Sequence, residues 1–138
     1  MKILILCTGN SCRSQIAQGY LKSFDKGIEV YSAGTVPASK INPVAVKVMA
    51  EDRIDISGNT PENVDLYLNE DWDFVITVCD EANEVCPFFP GKVNKRLHFG
   101  FEDPSNFKGT ETQVITEFRK TRDKIKNTFY KFYNDYLT

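Results

Sequence analysis

At 138 residues, with 41% hydrophobic and 26% charged residues, the chain is sized for one globular domain spanning 1–138. A net charge of −2 argues against a broad nucleic-acid footprint, so any anionic ligand must be held by local donors rather than by a global positive field. No apolar run approaches the roughly 18 residues of a membrane span, and the first one is too short for a secretory signal, so a cytoplasmic protein is expected, with no membrane partner.

The chain opens on Ile3-Leu4-Ile5-Leu6, an unbroken apolar run that predicts a strand covered on both faces. Ser14 to Lys26 carries Ile16, Ala17, Tyr20, Leu21 and Phe24 at helical spacing, with Gly27 as the expected C-cap. Ile28 to Ala33 reads as a second strand closed by Gly34. Asn42-Pro43 opens a helix through about Glu51, and Thr60-Pro61 begins a shorter helical stretch with Val64, Leu66, Tyr67 and Leu68. Trp72 to Val78 is the third strand and Arg96 to Phe99 a weaker fourth. Gly109 to Thr138 keeps one apolar stripe along a terminal helix.

Strands alternating with helices predict right-handed crossovers and an α/β fold, an open four-stranded parallel sheet flanked by helices. Ligands of such sheets bind beyond the carboxyl ends of the strands. Cys7 and Cys79 both stand at strand carboxyl ends, which puts them on one edge of the molecule.

Cys7-Thr8-Gly9-Asn10-Ser11-Cys12-Arg13-Ser14 follows the first strand and enters the first helix. A loop of this kind turns backbone amides and a helix N-terminus onto an anion, so residues Thr8 to Ser14 are the candidate oxyanion cradle. Cys7 is the candidate nucleophile at its floor, favoured as thiolate by that field and by Arg13. Arg13 offers a planar fork to two anion oxygens. Gly9 permits a tight turn, and Asn10 holds the loop through side-chain bonds in an unusual backbone conformation. Ser14 either caps the helix or donates to the Cys7 sulfur. Asp103, fixed by Pro104, is either the acid that protonates a leaving oxygen or an ordinary turn residue.

Four cysteines in a cytosolic chain point to catalysis, redox exchange or a metal. The spacings C-x4-C and C-x6-C do not match a zinc site. Were residues 80–85 helical, the seven-residue step would hold the Cα atoms of Cys79 and Cys86 roughly 10 Å apart. A disulfide needs about 7 Å or less. That segment is therefore a loop, or it unwinds when the bond forms. Pro87, Pro90 and Gly91 favour easy rearrangement. Cys12 is either loop packing or a safety partner for oxidised Cys7. His98, the only histidine, reads as a packing or surface residue and forms no basis for a Cys–His dyad.

These residues resemble a known family. Cys7 to Gln15, Tyr31-Ser-Ala-Gly34, Ile54-Asp-Ile-Ser57, Val78-Cys79, Cys86-Pro-Phe-Phe-Pro90 and Gly100-Phe-Glu-Asp-Pro104 are similar to the thioredoxin-coupled arsenate reductases, which share the fold of the low-molecular-weight protein tyrosine phosphatases. The resemblance runs to about residue 126, and the Cys79 and Cys86 context is its more specific part. It implies a thiol relay. Cys7 attacks arsenate with Arg13 and loop amides holding the oxygens and Asp103 protonating the leaving oxygen. Cys79 then attacks Cys7, Cys86 attacks Cys79, and thioredoxin reduces the final bond. Phosphate and sulfate are the expected competing oxyanions. A monomer with no bound cofactor is expected. The family also marks a place for potassium near Asn10, Ser32, Thr60 and Glu62. Gln18 stands where some relatives carry glutamate and Glu62 where aspartate is usual, and both departures count against a cation. Ser105 stands where the phosphatases place tyrosine, which leans away from phosphotyrosine. A phosphatase of the same fold remains the alternative reading, and a metal or arsenite sensor a third.

Overall fold

The computed structural model describes residues 1–84 and 86–138. Four strands, β1 (Lys2–Cys7), β2 (Glu29–Gly34), β3 (Trp72–Thr77) and β4 (Val93–His98), form one parallel sheet in the order β2-β1-β3-β4. Its helices are α1 (Arg13–Phe24), α2 (Pro43–Glu51), α3 (Asp80–Glu84) and α4 (Glu111–Phe132). The expected doubly covered parallel sheet is what forms.

The order follows from burial. Ile3 to Leu6 of β1 are wholly buried, so β1 must lie inside the sheet, flanked by β2 and β3. In register, Leu6 stands beside Ala33 and Thr77, so the strand ends that lead to Cys7 and Cys79 are adjacent. β4 lies on the edge, and its Asn94, Lys95 and Arg96 are exposed, the polar edge that discourages further strand pairing. That polarity hid its first three residues from the apolar pattern, so the strand begins at Val93 rather than Arg96.

α1 packs on β1 and β2 and against α4. α4 buries Phe118, Ile125, Phe129 and Phe132, and Phe132 meets Phe74 of β3 edge-on at 5.1 Å between ring centroids. Residues that each bury a large aromatic side chain dominate such a core, at roughly 3–5 kcal/mol apiece on truncation. Thr110 and Gln113 close a reciprocal cap at the start of α4. Asn42 caps α2 by accepting from the Val44 and Ala45 amides. That cap, with Pro43, starts a helix despite its three valines.

Several boundaries differ from the sequence expectation. α1 ends at Phe24 with Asp25 as C-cap, and Gly27 lies in the following turn, its amide donating to the Asp25 side chain. The stretch after Thr60 forms only a 3₁₀ turn, Val64–Tyr67, started by the Asn63 side chain. α4 stops at Phe132 and passes into a π turn, Tyr133–Leu137. Asp80–Glu84 is helical, while Val85 lies outside the described residues. No helix among the described residues is long and apolar enough to cross a membrane.

Candidate active site

The loop from Cys7 to Arg13 is shaped from outside. The carbonyl oxygens of Cys7, Thr8, Gly9 and Ser11 accept from the amides of Thr35, Val36, Ala38 and Asn42. The Cys12 carbonyl accepts from the Ile16 amide and the Asn10 carbonyl from Gln15 Nε2. Six successive carbonyls are thus turned away from the loop centre. A trans peptide sets C=O and the next N–H on opposite sides, so the amides of residues 8–13 are turned inward. They line a bowl of about 150 Å³ bounded by Cys7 to Arg13 and Asp103.

Asn10 is the knot of this loop. Its φ of 51° lies in the left-handed region that asparagine tolerates. Its Nδ2 donates to Ser14 Oγ at 2.8 Å and Ser32 Oγ at 2.9 Å, and its Oδ1 accepts from Gln15 Nε2 and the Glu62 amide. Ser14 is therefore a buried tie to Asn10. It does not cap α1, whose N-cap is Cys12 without a side-chain bond, because its hydroxyl faces the knot from inside the first turn. It is also absent from the bowl lining. Gly9 needs no special backbone conformation. The close approach is at Gly34, where a Cβ would lie 2.4 Å from the Thr8 carbonyl oxygen.

Arg13 and Asp103 close the mouth. Arg13 Nη1 donates to the Phe101 carbonyl at 2.9 Å, and Nη2 lies 3.5 Å from Asp103 Oδ2. Asp103 Oδ1 accepts from the Ser105 amide and hydroxyl, which leaves Oδ2 toward Arg13 and the bowl. Ser105 as the orienting partner of Asp103 is a role that spacing alone did not reveal.

The Cys79 thiol lies beside the start of the loop, with Thr8 Oγ1 3.4 Å from Cys79 Sγ. Thr8 thus serves two sites, its amide at the Cys7 sulfur and its hydroxyl at Cys79. The neighbouring Cys7 thiol is the main influence that draws Cys79 below the ordinary thiol value, helped against burial by Thr8 and the Ala82 amide. The same pairing, with burial, pushes Cys7 up, while Arg13 and the Thr8 amide pull it down. The sequence places the thiolate on Cys7. The folded protein adds a second sulfur that competes for the charge. Cys12 lies under the loop, and burial pushes its thiol up to about 12.

Cys86 stands on the far side of α3, half-buried, in a cleft of about 250 Å³ against β4. Arg96 Nη1 donates to its sulfur at 3.4 Å. His98 is tied to Thr77 and Asp80 and does not meet Asp103.

The potassium expectation concerns a separate cavity, lined in part by Gln18, Ser32, Asn59, Thr60 and Glu62. Within it Ser32 Oγ donates to Gln18 Oε1, Glu62 Oε2 accepts from Tyr67, and Asn10 presents an amide nitrogen to Ser32. Among the described residues no three His, Cys, Asp or Glu side chains gather as a metal centre.

The sequence pattern of the low molecular weight phosphotyrosine protein phosphatases matches residues 2–136. The chain belongs to that family. Within it, the chain is 47% identical over 124 residues to the arsenate reductase of Oceanobacillus iheyensis, covering 89% of this chain and 88% of that one. A solved arsenate reductase in its phosphate-binding state superposes with a TM-score of 0.77 at 28% identity, covering 97% of both chains. The thioredoxin-dependent arsenate reductase of Corynebacterium glutamicum superposes with a TM-score of 0.59 at 28% identity over 94% of this chain and 61% of its own. The family's loop and fold thus account for the bowl. The second and third sulfurs are what the phosphatase chemistry does not require.

Proposed function

We propose that the chain reduces arsenate to arsenite through Cys7, Cys79 and Cys86, with residues 1–138 acting as one catalytic domain. The observation that carries this reading is the place of the Cys79 sulfur, 3.4 Å from the Thr8 hydroxyl at the adjoining ends of β1 and β3, next to the loop that begins at Cys7. A phosphatase nucleophile needs no buried thiol at its side, whereas a reductase needs an attacker for the covalent intermediate.

Cys7 Sγ attacks arsenic within the inward amides, with Arg13 holding two oxygens as charge grows. An oxygen leaves as water with a proton delivered from Asp103, and a thiol–arsenate ester remains. The Cys79 thiolate attacks Cys7 Sγ. The S–As bond breaks with its electron pair going to arsenic, which departs as arsenite, and a Cys7–Cys79 disulfide forms. Cys86 then attacks Cys79, which releases the Cys7 thiolate and leaves Cys79–Cys86. A dithiol donor of the thioredoxin kind returns the two electrons, consistent with the thioredoxin-dependent relative. Phosphate and sulfate enter the same bowl as competitors. The bowl's 150 Å³ suits a bare tetrahedral ion, being well under the roughly 300 Å³ at which pockets for larger organic ligands begin. A monomer acting in the cytoplasm belongs to the same reading.

Arsenite production with thioredoxin as donor tests it. The parent protein turns over repeatedly, Cys7→Ser makes nothing, and Cys86→Ser yields one equivalent and stops. Sustained turnover by Cys86→Ser would refute the relay. Efficient aryl-phosphate hydrolysis by Cys79→Ser, with no arsenate reduction by the parent, would favour the phosphatase.

A further inference from the structure

β4 carries Arg96 and His98 two residues apart and therefore on one face of the edge strand. Both reach across to the segment that bears the outer cysteines. Arg96 Nη1 donates to Cys86 Sγ at 3.4 Å, and its guanidinium carbon lies 5.3 Å from the centroid of the buried Phe89 ring. One side chain thus grips the segment at two positions, three residues apart. His98 Nε2 lies 3.0 Å from Asp80 Oδ1, and its Nδ1 lies 2.8 Å from Thr77 Oγ1. A proton on Nε2 satisfies both contacts: Nε2–H donates to Asp80, and Nδ1 accepts from the Thr77 hydroxyl. Asp80 is the first residue of α3, and Phe89 lies three residues beyond Cys86. The segment is therefore tied to β4 near both of its ends.

That arrangement matters because α3 lies between the two sulfurs that must meet. Helical residues keep positions seven apart at about 10 Å, beyond the reach of a disulfide. A helix of five residues has little stability of its own, so its persistence depends on what holds it.

We propose that Arg96 and His98 are positioning residues that hold Asp80 on one side and Cys86 and Phe89 on the other against β4, and so restrain the Cys86 sulfur from reaching Cys79 in the reduced protein. Formation of Cys79–Cys86 requires Arg96 to release Cys86. Neither residue touches the oxyanion bowl, and their place in the relay rests on the arsenate reductase reading. The clasp itself does not, because any oxidant of the pair reads it.

The test uses full-length reduced protein carrying Cys7→Ser and Cys12→Ser, so that only the outer pair is oxidised. Oxidised glutathione is the oxidant: Cys79 and Cys86 give up two protons and two electrons and become a disulfide, and the glutathione disulfide leaves as two glutathione thiols. Arg96→Gln is expected to speed this closure roughly fivefold, the scale of one exposed charge contact, and Arg96→Lys to restore part of the restraint. His98→Gln, which frees the other end, shifts the rate in the same direction. Alkylation of Cys86 by iodoacetamide in a Cys79→Ser background, taken at the high-pH plateau of its rate so that the thiol is fully ionised in both proteins, rises with Arg96→Gln, a readout that general loosening of the fold does not produce while the thermal midpoint stays unchanged. Equal closure rates in parent and Arg96→Gln, or slower closure in Arg96→Gln, would overturn the proposal. A parent protein that closes this disulfide as described but makes no arsenite would instead overturn the functional reading alone.

Discussion

Cys79 is buried, yet its thiol is drawn below the ordinary value, chiefly by the neighbouring Cys7. Removing that partner has a defined effect. In Cys79→Ser the largest influence that raises Cys7 is lost, while Arg13 and the Thr8 amide still favour its thiolate. The reactivity of Cys7 toward iodoacetamide, followed by peptide mass between about pH 5 and pH 9, is expected to rise at lower pH in Cys79→Ser than in the parent. A profile that stays put or moves to higher pH contradicts this influence of Cys79 on Cys7. Cys7, Arg13 and the cradle were legible in the sequence because one short segment carries nucleophile, loop and helix start in fixed order. Gly34 and Ser105 were not legible as working residues. Gly34 matters because Thr8 crosses it, and Ser105 because it turns one Asp103 oxygen toward Arg13. Both depend on contacts between distant segments that spacing does not encode.

Elements that bury an apolar face were read well, and those that do not were read poorly. β1 and β3 announced themselves as apolar runs, and α4 as a long stripe. β4 was half hidden by its polar edge, and α3 has too few residues for a period to show. What ties the helices together is also polar. Glu51 at the end of α2 accepts from Arg119 and Arg122 of α4, while Arg122 also donates to the Val48 carbonyl. The Arg119 hydrogen bond is the main cause that draws Glu51 from the ordinary carboxylate value near 4.5 to about 2. A folded-state value below the unfolded one contributes stability at pH above 4.5, which is lost as pH falls toward about 2. Because this tie is solvent-exposed, the effect is modest. Urea unfolding across that window should show a shallower loss of stability in Glu51→Gln than in the parent, and parallel curves for the two would remove α2–α4 pairing from the acid response.

At the scale of the whole molecule, the parallel sheet does one decisive thing. It brings the ends of β1 and β3 together, so the thiols of Cys7 and Cys79 stand at one sheet edge although 71 residues lie between them in the chain. That adjacency followed from sequence reasoning once strands and helices alternated, because right-handed crossovers leave few arrangements. The contact of Thr8 with Cys79 and that of Arg96 on the edge strand with Cys86 did not follow, since each depends on side-chain reach across elements. The chain carries four free thiols in this state, so the path of oxidation among them is directly observable. Mass-spectrometric mapping of disulfides after one equivalent of arsenate is the most direct measurement. The parent should carry Cys79–Cys86 and Cys86→Ser should carry Cys7–Cys79, each with one equivalent of arsenite released. Four unlinked cysteines in the parent, or a bond running through Cys12, would contradict the three-sulfur relay.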